Sequence, residues 1–260
     1  SSMNRRLFIS VLFVCLLSFT VRAQQGTFRF AQLTDIHLSP NNPNPTEDLL
    51  RSIAQINATD SLDFVLVTGD LTEEGDRATM EKVKSCLDLL KVKYYVALGN
   101  HETKWSDSGC TAFGEIFGGE RFDFEHKGFL FLGFNSGPLM RMAYGHVVPQ
   151  DIRWMTERMS RYNNNPVILV THYPMTEGDV DNWYEVTDAV RPYNIRLFIG
   201  GHYHRNRDLR YDGIPGILMR SNLRDKDEKP GYGIYEITKD SILVYTQRIG
   251  EPKKKWAAFS

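Results

Sequence analysis

Residues 198–207 read FIGGHYHRNR, an apolar run that ends in two glycines and then places two of the chain's seven histidines one residue apart. The same construction occurs four more times: FRFAQLTDIH (28–37), DFVLVTGD (63–70), YYVALGNHE (94–102) and PVILVTHYP (166–174). Each run is short, β-branched or aromatic, and bounded by turn residues, as a buried strand would be. The segments TEDLLRSIAQIN (46–57), EEGDRATMEKVKSCLDLL (73–90) and PQDIRWMTERMSRY (149–162) carry helical spacing, and Pro149 suits a first turn. Strands alternating with helices imply crossover connections and largely parallel pairing, so the fold class is α/β. In such sheets the carboxyl ends of the strands gather around one crevice, so five polar exits far apart in sequence can meet in space.

Downstream, GIPGILMRSN (213–222), YGIYEITK (232–239) and SILVYTQR (241–248) read as strands joined by short turns, predicting an antiparallel section that completes the domain. The last residues, EPKKKWAAFS (251–260), carry a charge run and read as a tail or linker. At the other end, Ser1 and Ser2 look like a cloning scar before Met3. Two arginines then lead into the uncharged run Leu7–Val21. A basic flank, an apolar stretch of about 15 residues and a small residue at Ala23 match a secretory signal and fall short of a membrane span. The expected division is therefore a signal over 1–23, a catalytic domain over 24–250 and the tail. It makes the protein exported, periplasmic or extracellular in a bacterium, with no stable span after cleavage.

The whole chain has a net charge of −1, and loss of Arg5, Arg6 and Arg22 with the signal brings Lys+Arg from 31 to 28 against 32 acids, near −4. That balance argues against a general nucleic-acid binder. Only Cys86 and Cys110 follow the signal. Cys86 sits at helical spacing among Met80, Val83, Leu87 and Leu90, where a buried free thiol is a simpler account than a disulfide.

The strand exits supply Asp35, His37, Asp70, Asn100, His101, His172, His202 and His204, so five of seven histidines leave strands this way. Taken singly, a GD is a turn and a strand-end histidine is hydrogen-bonded. Together, carboxylate, imidazole and amide oxygen suit borderline divalent ions such as Mn, Fe or Zn, rather than the oxygen-only sets of calcium or magnesium. Even without His101, the other seven exceed what one such ion takes. One bridging carboxylate divides them into two sites of about four ligands each, an arrangement that clamps an in-line displacement at phosphorus.

The ordered set DIH, GD, GNHE, THYP and GHYH resembles the metallophosphoesterase, or calcineurin-like phosphoesterase, superfamily over residues 29 to 204. The resemblance implies a sandwich of two mixed β-sheets flanked by helices, with a dinuclear metal site at the carboxyl ends of strands. It further implies that Asp35, His37 and His204 bind one ion, Asn100, His172 and His202 the other, and that Asp70 bridges them. Two divalent ions lower the pKa of a shared water, giving a hydroxide nucleophile at neutral pH, and neutralise charge on the phosphoryl oxygens. The pattern places His101 as the general acid that protonates the leaving group, and Glu73 as the acid that orients it. Glu73 stands where purple acid phosphatases place a metal-binding tyrosine. Glu74 and Leu98 stand where protein serine/threonine phosphatases have arginines. What remains resembles bacterial cyclic-nucleotide phosphodiesterases and general exported phosphatases, acting on a small phosphorylated substrate, monoester or diester. Arg141 is a candidate phosphate contact and Trp183 a candidate stacking platform, both in segments flanking ligand-bearing strands. A metal-dependent nuclease and a non-catalytic metal-binding interaction domain are the other readings; the first would show a basic groove and the second would lack ligands. The sequence leaves the oligomeric state open.

Overall fold

The computed structural model describes residues 26–260, and the expected signal at 1–23 lies outside the described residues. Along the chain come β1 (Phe28–Leu33), α1 (Asn44–Ala58), β2 (Phe64–Thr68), α2 (Arg77–Leu87), β3 (Lys93–Ala97), α3 (Asn100–Lys104) and α4 (Thr111–Phe117). A hairpin of β4 (Phe122–His126) and β5 (Phe129–Gly133) follows, then α5 (Pro149–Ser160), β6 (Val167–Val170), α6 (Trp183–Val190) and β7 (Ile195–Gly200). The last strands are β8 (Arg207–Tyr211), β9 (Ile214–Leu218), β10 (Gly231–Ile237), β11 (Ile242–Arg248) and β12 (Lys254–Phe259).

They form two six-stranded mixed sheets, β12-β11-β10-β1-β2-β3 and β4-β5-β6-β7-β9-β8. The two-residue period of the strands decides how the sheets stack. Phe28, Phe30, Phe64 and Leu66 point inward and meet Phe129, Phe131, Ile168, Val170, Leu197 and Ile199 of the second sheet in a shared core. The alternate residues Ala31, Leu33, Val65 and Val67 face outward under α1 and α2, packing on Leu49, Ile53, Met80 and Val83. On the far side Leu130, Leu132, Val167, Leu169 and Phe198 do the same with Met155 and Met159 of α5 and Val186 and Val190 of α6. Strands covered on both faces therefore read as continuous apolar runs. The sandwich of two mixed sheets flanked by helices is as expected.

Three details differ from the sequence reading. The downstream strands do not form one antiparallel section: β9 lies parallel to β7 in the second sheet, while β10, β11 and β12 run antiparallel in the first. The helix expected from 73 begins at Arg77, because the Asp76 carboxylate accepts from Thr79 N at 3.0 Å and caps it. Residues 251–260 are not a linker, since β12 pairs with β11 and buries Ala257 and Phe259. The lysines at 253–255 hid its alternation, and lysine suits an edge strand because it discourages further pairing. Cys86 and Cys110 are both free thiols, as the simpler account has it.

Candidate metal centre

Every predicted ligand lies just past the carboxyl end of a strand. Asp35 and His37 follow β1, Asp70 follows β2, Asn100 and His101 open α3 after β3, His172 follows β6, and His202 and His204 follow β7. The first three strands belong to one sheet and the last two to the other, so the centre sits on the seam of the sandwich. Gln32 ties the sheets together beneath it, donating through Nε2 to Thr68 Oγ1 at 2.8 Å and to the Gly200 carbonyl at 2.9 Å.

Five of these residues hold left-handed backbones that side-chain-bearing residues rarely adopt: Asp35 (φ 51°), His37 (50°), Asp70 (51°), His202 (74°) and His204 (57°). Such strain persists only where surroundings over-determine it. Here the amides of Ile36 and His37 both donate to the Asp70 carbonyl, Asp35 N donates to the Gly69 carbonyl, and His202 N donates to Asp35 Oδ2 at 3.0 Å. Glycine is required where these loops touch. A Cβ on Gly99 would collide with Asp70 Oδ1 and the Asp70 nitrogen, and one on Gly69 would stand 2.7 Å from Gly99 N.

The side chains form three overlapping groups whose donor atoms lie within 4.8 Å of one another: Asp35–His37–His204, His37–Asp70–His101 and Asp70–His172–His202. Asp70 and His37 each belong to two of them. Its Oδ2 lies 3.2 Å from His172 Nε2 and 3.7 Å from His37 Nε2, while Asp35 Oδ1 lies 3.1 Å from His204 Nε2. Nδ1–H of His172 donates to the Thr68 carbonyl at 2.6 Å, which leaves its Nε2 lone pair facing the cluster.

Two features of these residues fit cations. Asp35 Oδ1 is fully buried, faces two imidazole nitrogens and has no hydrogen-bond partner. The Asn100 amide oxygen lies 3.1–3.3 Å from both Asp70 oxygens, His172 Nε2 and His202 Nδ1, so the two carboxylate oxygens that face it can only accept. Turning the amide's NH2 group inward would supply the missing positive charge by hydrogen bonds, and a cation supplies it with the oxygen inward. Titration tells the same story. Burial opposes the charged form of His172, but Asp70 and Asp35 outweigh it and push its pKa up to about 10. Against the same burial penalty, His172 and its neighbours hold the Asp35 and Asp70 carboxyls below the usual carboxylate range. Burial, aided by the charge on His172, pushes His202 down to about 4. The two buried carboxylates therefore draw positive charge into the cluster, and the mixed carboxylate, imidazole and amide donors fit two divalent ions.

The remaining histidines are engaged elsewhere: His126 with Asp63 at 2.6 Å and His146 with Asp181 at 2.7 Å. Glu73 is placed differently from the expectation. Its backbone carbonyl, not its carboxylate, accepts from His101 Nδ1–H at 2.5 Å. The carboxylate instead stands 3.0 Å from His37 Nδ1, off the hydrogen-bond line but close enough to favour that ring's orientation. The longer glutamate side chain, in a loop before the α2 cap, carries the charge past His101. His101 turns Nε2 toward the cluster, 3.9 Å from Asp70 Oδ2. Neither Arg141 nor Trp183 makes a hydrogen bond or ion pair with a ligand. Arg141 is exposed and 3.8 Å from Asp107, while Trp183 packs at the edge of the core beneath α5 and α6.

One residue escaped the sequence reading. Glu102, within GNHE, is wholly buried and accepts from Leu71 N at 2.7 Å, Thr72 N at 3.0 Å and Gly99 N at 2.8 Å. It pins the loop after Asp70 to the loop before Asn100. A glutamate three residues after a glycine was the available signal, since its carboxylate can reach back to the N-cap amide, the half of a capping box that a glycine permits.

The calcineurin-like phosphoesterase family matches residues 28–206. A 3',5'-cyclic-nucleotide phosphodiesterase of Nostoc is 22% identical over 236 residues, covering 81% of this chain and 88% of its own. A protein of Psychrobacter arcticus named "Probable cyclic nucleotide phosphodiesterase" is 20% identical over 255 residues, covering 82% and 90%. In three dimensions, a dimetal phosphatase of Danio rerio superposes with a TM-score of 0.67 at 13% identity, over 88% of this chain and 98% of that one, a likeness of fold.

Proposed function

The chain belongs to the calcineurin-like phosphoesterase family, and from that premise we propose that it hydrolyses a small phosphodiester at the Asp70-centred cluster. The observation that carries the reading is the pair of donor groups sharing Asp70, with the bridging carboxylate and its neighbours all present. The names of the two bacterial relatives favour a diester over a monoester.

Asp35, His37 and His204 would hold one divalent ion, Asn100, His172 and His202 the other, and Asp70 both. When bound, the ions supply Lewis acidity, activating water near neutral pH and drawing charge from the phosphoryl oxygens. The Thr68 carbonyl fixes the His172 tautomer, Thr34 Oγ1–H and His202 N–H orient Asp35 through Oδ2, and the Glu73 carboxylate steers His37. His101, anchored through Nδ1–H on the Glu73 carbonyl, presents Nε2 at the open side of the cluster and protonates the departing oxygen there. Arg141 and Trp183, in the segments after β5 and β6, contact the substrate on that side of the cluster.

Hydrolysis of a chromogenic phosphodiester and the matching monoester by the Mn-loaded enzyme, beside Asp70→Asn, tests this. Diester turnover abolished in the variant is expected. Monoester preference would overturn the diester assignment, and metal-bound protein inert toward both would overturn the catalytic one.

We also infer export, from the two arginines and the uncharged run Leu7–Val21 that precede Ala23. Mass spectrometry of protein secreted by a bacterial host should find Gln24 as the first residue; an intact Met3 would refute this.

A further inference from the structure

A cavity of about 450 Å³ opens beside the metal centre, walled by Asn206, Thr246, Arg248, Glu251, Lys254 and Trp256. Its position follows from register. Gln32 pairs with Gly233 and Gly231 pairs with Arg248, so Arg248 lies two strands across the sheet from Thr34, the residue before Asp35. At one strand spacing per step that is roughly 10 Å. From the other side, Asn206 is only two residues past His204, and its Nδ2–H donates to Thr246 Oγ1 at 2.8 Å.

The wall carries two bases, Arg248 and Lys254, against one acid, Glu251. Arg248 Nε and Trp256 Nε1 are buried N–H donors with no acceptor, in two residues of the adjacent strands β11 and β12 that both line this cavity. Buried donors are almost always paired, so two orphans at one cavity are a signal of an absent acceptor. Four bases gather here. Arg248 Nη2 engages Glu228 at 2.9 Å and Lys229 lies 3.9 Å from Glu251, so both nearby acids have partners. Lys254 has no ion-pair partner among the described residues. Arg220 lies behind, donating to the Lys229 and Leu223 carbonyls, and burial together with Arg248 lowers its pKa from the usual value.

We propose that this cavity is a subsite for a second anionic group of the substrate, a carboxylate or phosphate on an arm long enough to reach from the metal centre across the two strand spacings to Arg248. Arg248 and Trp256 would supply the N–H donors and Lys254 the charge. The proposal rests on the phosphodiesterase reading and deepens it: the preferred diester has one arm ending in an anion. Neutral-armed diesters are then poor substrates.

Two measurements test it. The first compares two p-nitrophenyl phosphodiesters, identical except that one has a second arm of six to eight atoms ending in a carboxylate and the other ends in a methyl group. Wild-type kcat/KM should favour the carboxylate arm by about tenfold or more, one good charge-assisted contact, and Arg248→Gln should bring that ratio near one. The second titrates inorganic sulfate into the Zn-loaded protein and follows the indole N–H resonances of the four tryptophans, with that of Trp256 identified by its loss in Trp256→Phe. Sulfate should shift the Trp256 resonance, about tenfold more weakly in Arg248→Gln. Diesters hydrolysed without preference, or a Trp256 resonance indifferent to sulfate or to Arg248, would overturn the subsite. If neither diester is hydrolysed while the Arg248-dependent shift persists, the catalytic reading falls and the anion site stands.

Discussion

Replacing Gly99 with alanine perturbs the centre by a single methyl group, and its consequence can be worked out from the close approach of two loops. Gly99 has an ordinary extended backbone, so the substitution is not conformationally strained. The added Cβ, however, collides with Asp70 Oδ1 and the Asp70 nitrogen and stands 3.0 Å from its Cα. Backbone cannot rotate away as a flexible side chain could, and both loops are already pinned by Glu102. Overpacking of this kind costs about 3 kcal/mol or more. In a domain of this size that lowers Tm by roughly 6–12 °C. Function should suffer further, because Asp70 must move, and a displacement near 1 Å in a catalytic group costs about 10²-fold in rate. Gly114→Ala is the matched control: its Cβ meets nothing within 4 Å and it lies inside α4. Loss of helix-interior glycine stabilises by about 0.5–1 kcal/mol, so Tm should rise by roughly 1–4 °C. Thermal melts, bound metal per chain and diester turnover for both variants are the assay. Gly99→Ala protein with wild-type Tm and two bound ions would refute the close-approach argument.

His101→Ala should slow a diester with an alkoxide leaving group by about 10²-fold or more, yet hardly affect a p-nitrophenolate, which leaves without protonation; equal losses on both would remove His101 as the acid. Glu102→Gln keeps an acceptor but turns an NH2 toward one of three buried amides. It should cost about 2–4 kcal/mol and lower Tm by roughly 4–16 °C, whereas an unchanged melt would show that the loops do not depend on it. Burial, with Glu120 adding to it against the opposing Arg121, pushes Asp151 up to about 6, so the folded state keeps a proton that the unfolded chain has already lost. Stability then falls as pH rises from about 4 through 6. Asp151→Asn should raise Tm at pH 8 and leave it unchanged at pH 4; a gain that is the same at both values would refute the assignment.

The ligands were legible in the sequence because each is a polar exit from an apolar run, and buried strands keep that signature whichever sheet they join. The partition between sheets was not, since β9 and β10 have similar composition and only tertiary pairing sends one to β7 and the other to β1. β4 alternates Asp123 and Glu125 with Phe122 and Phe124, so it lacks the continuous apolar run with a metal-binding exit that marks the ligand-bearing strands. Glu73 shows a different limit. Its position in the motif was readable, but whether the carbonyl or the carboxylate would meet His101 depends on a loop conformation that no spacing reveals. The cavity beside Asn206 draws on β11 and β12, strands joined to the ligands only through register.

The central claim is that one carboxylate, Asp70, holds two ions between the sheets. Anomalous diffraction from crystals of the Mn-loaded protein tests it most directly. Two peaks about 3.5–4 Å apart, both in contact with Asp70, are predicted. A single peak, or two that do not share Asp70, would contradict it.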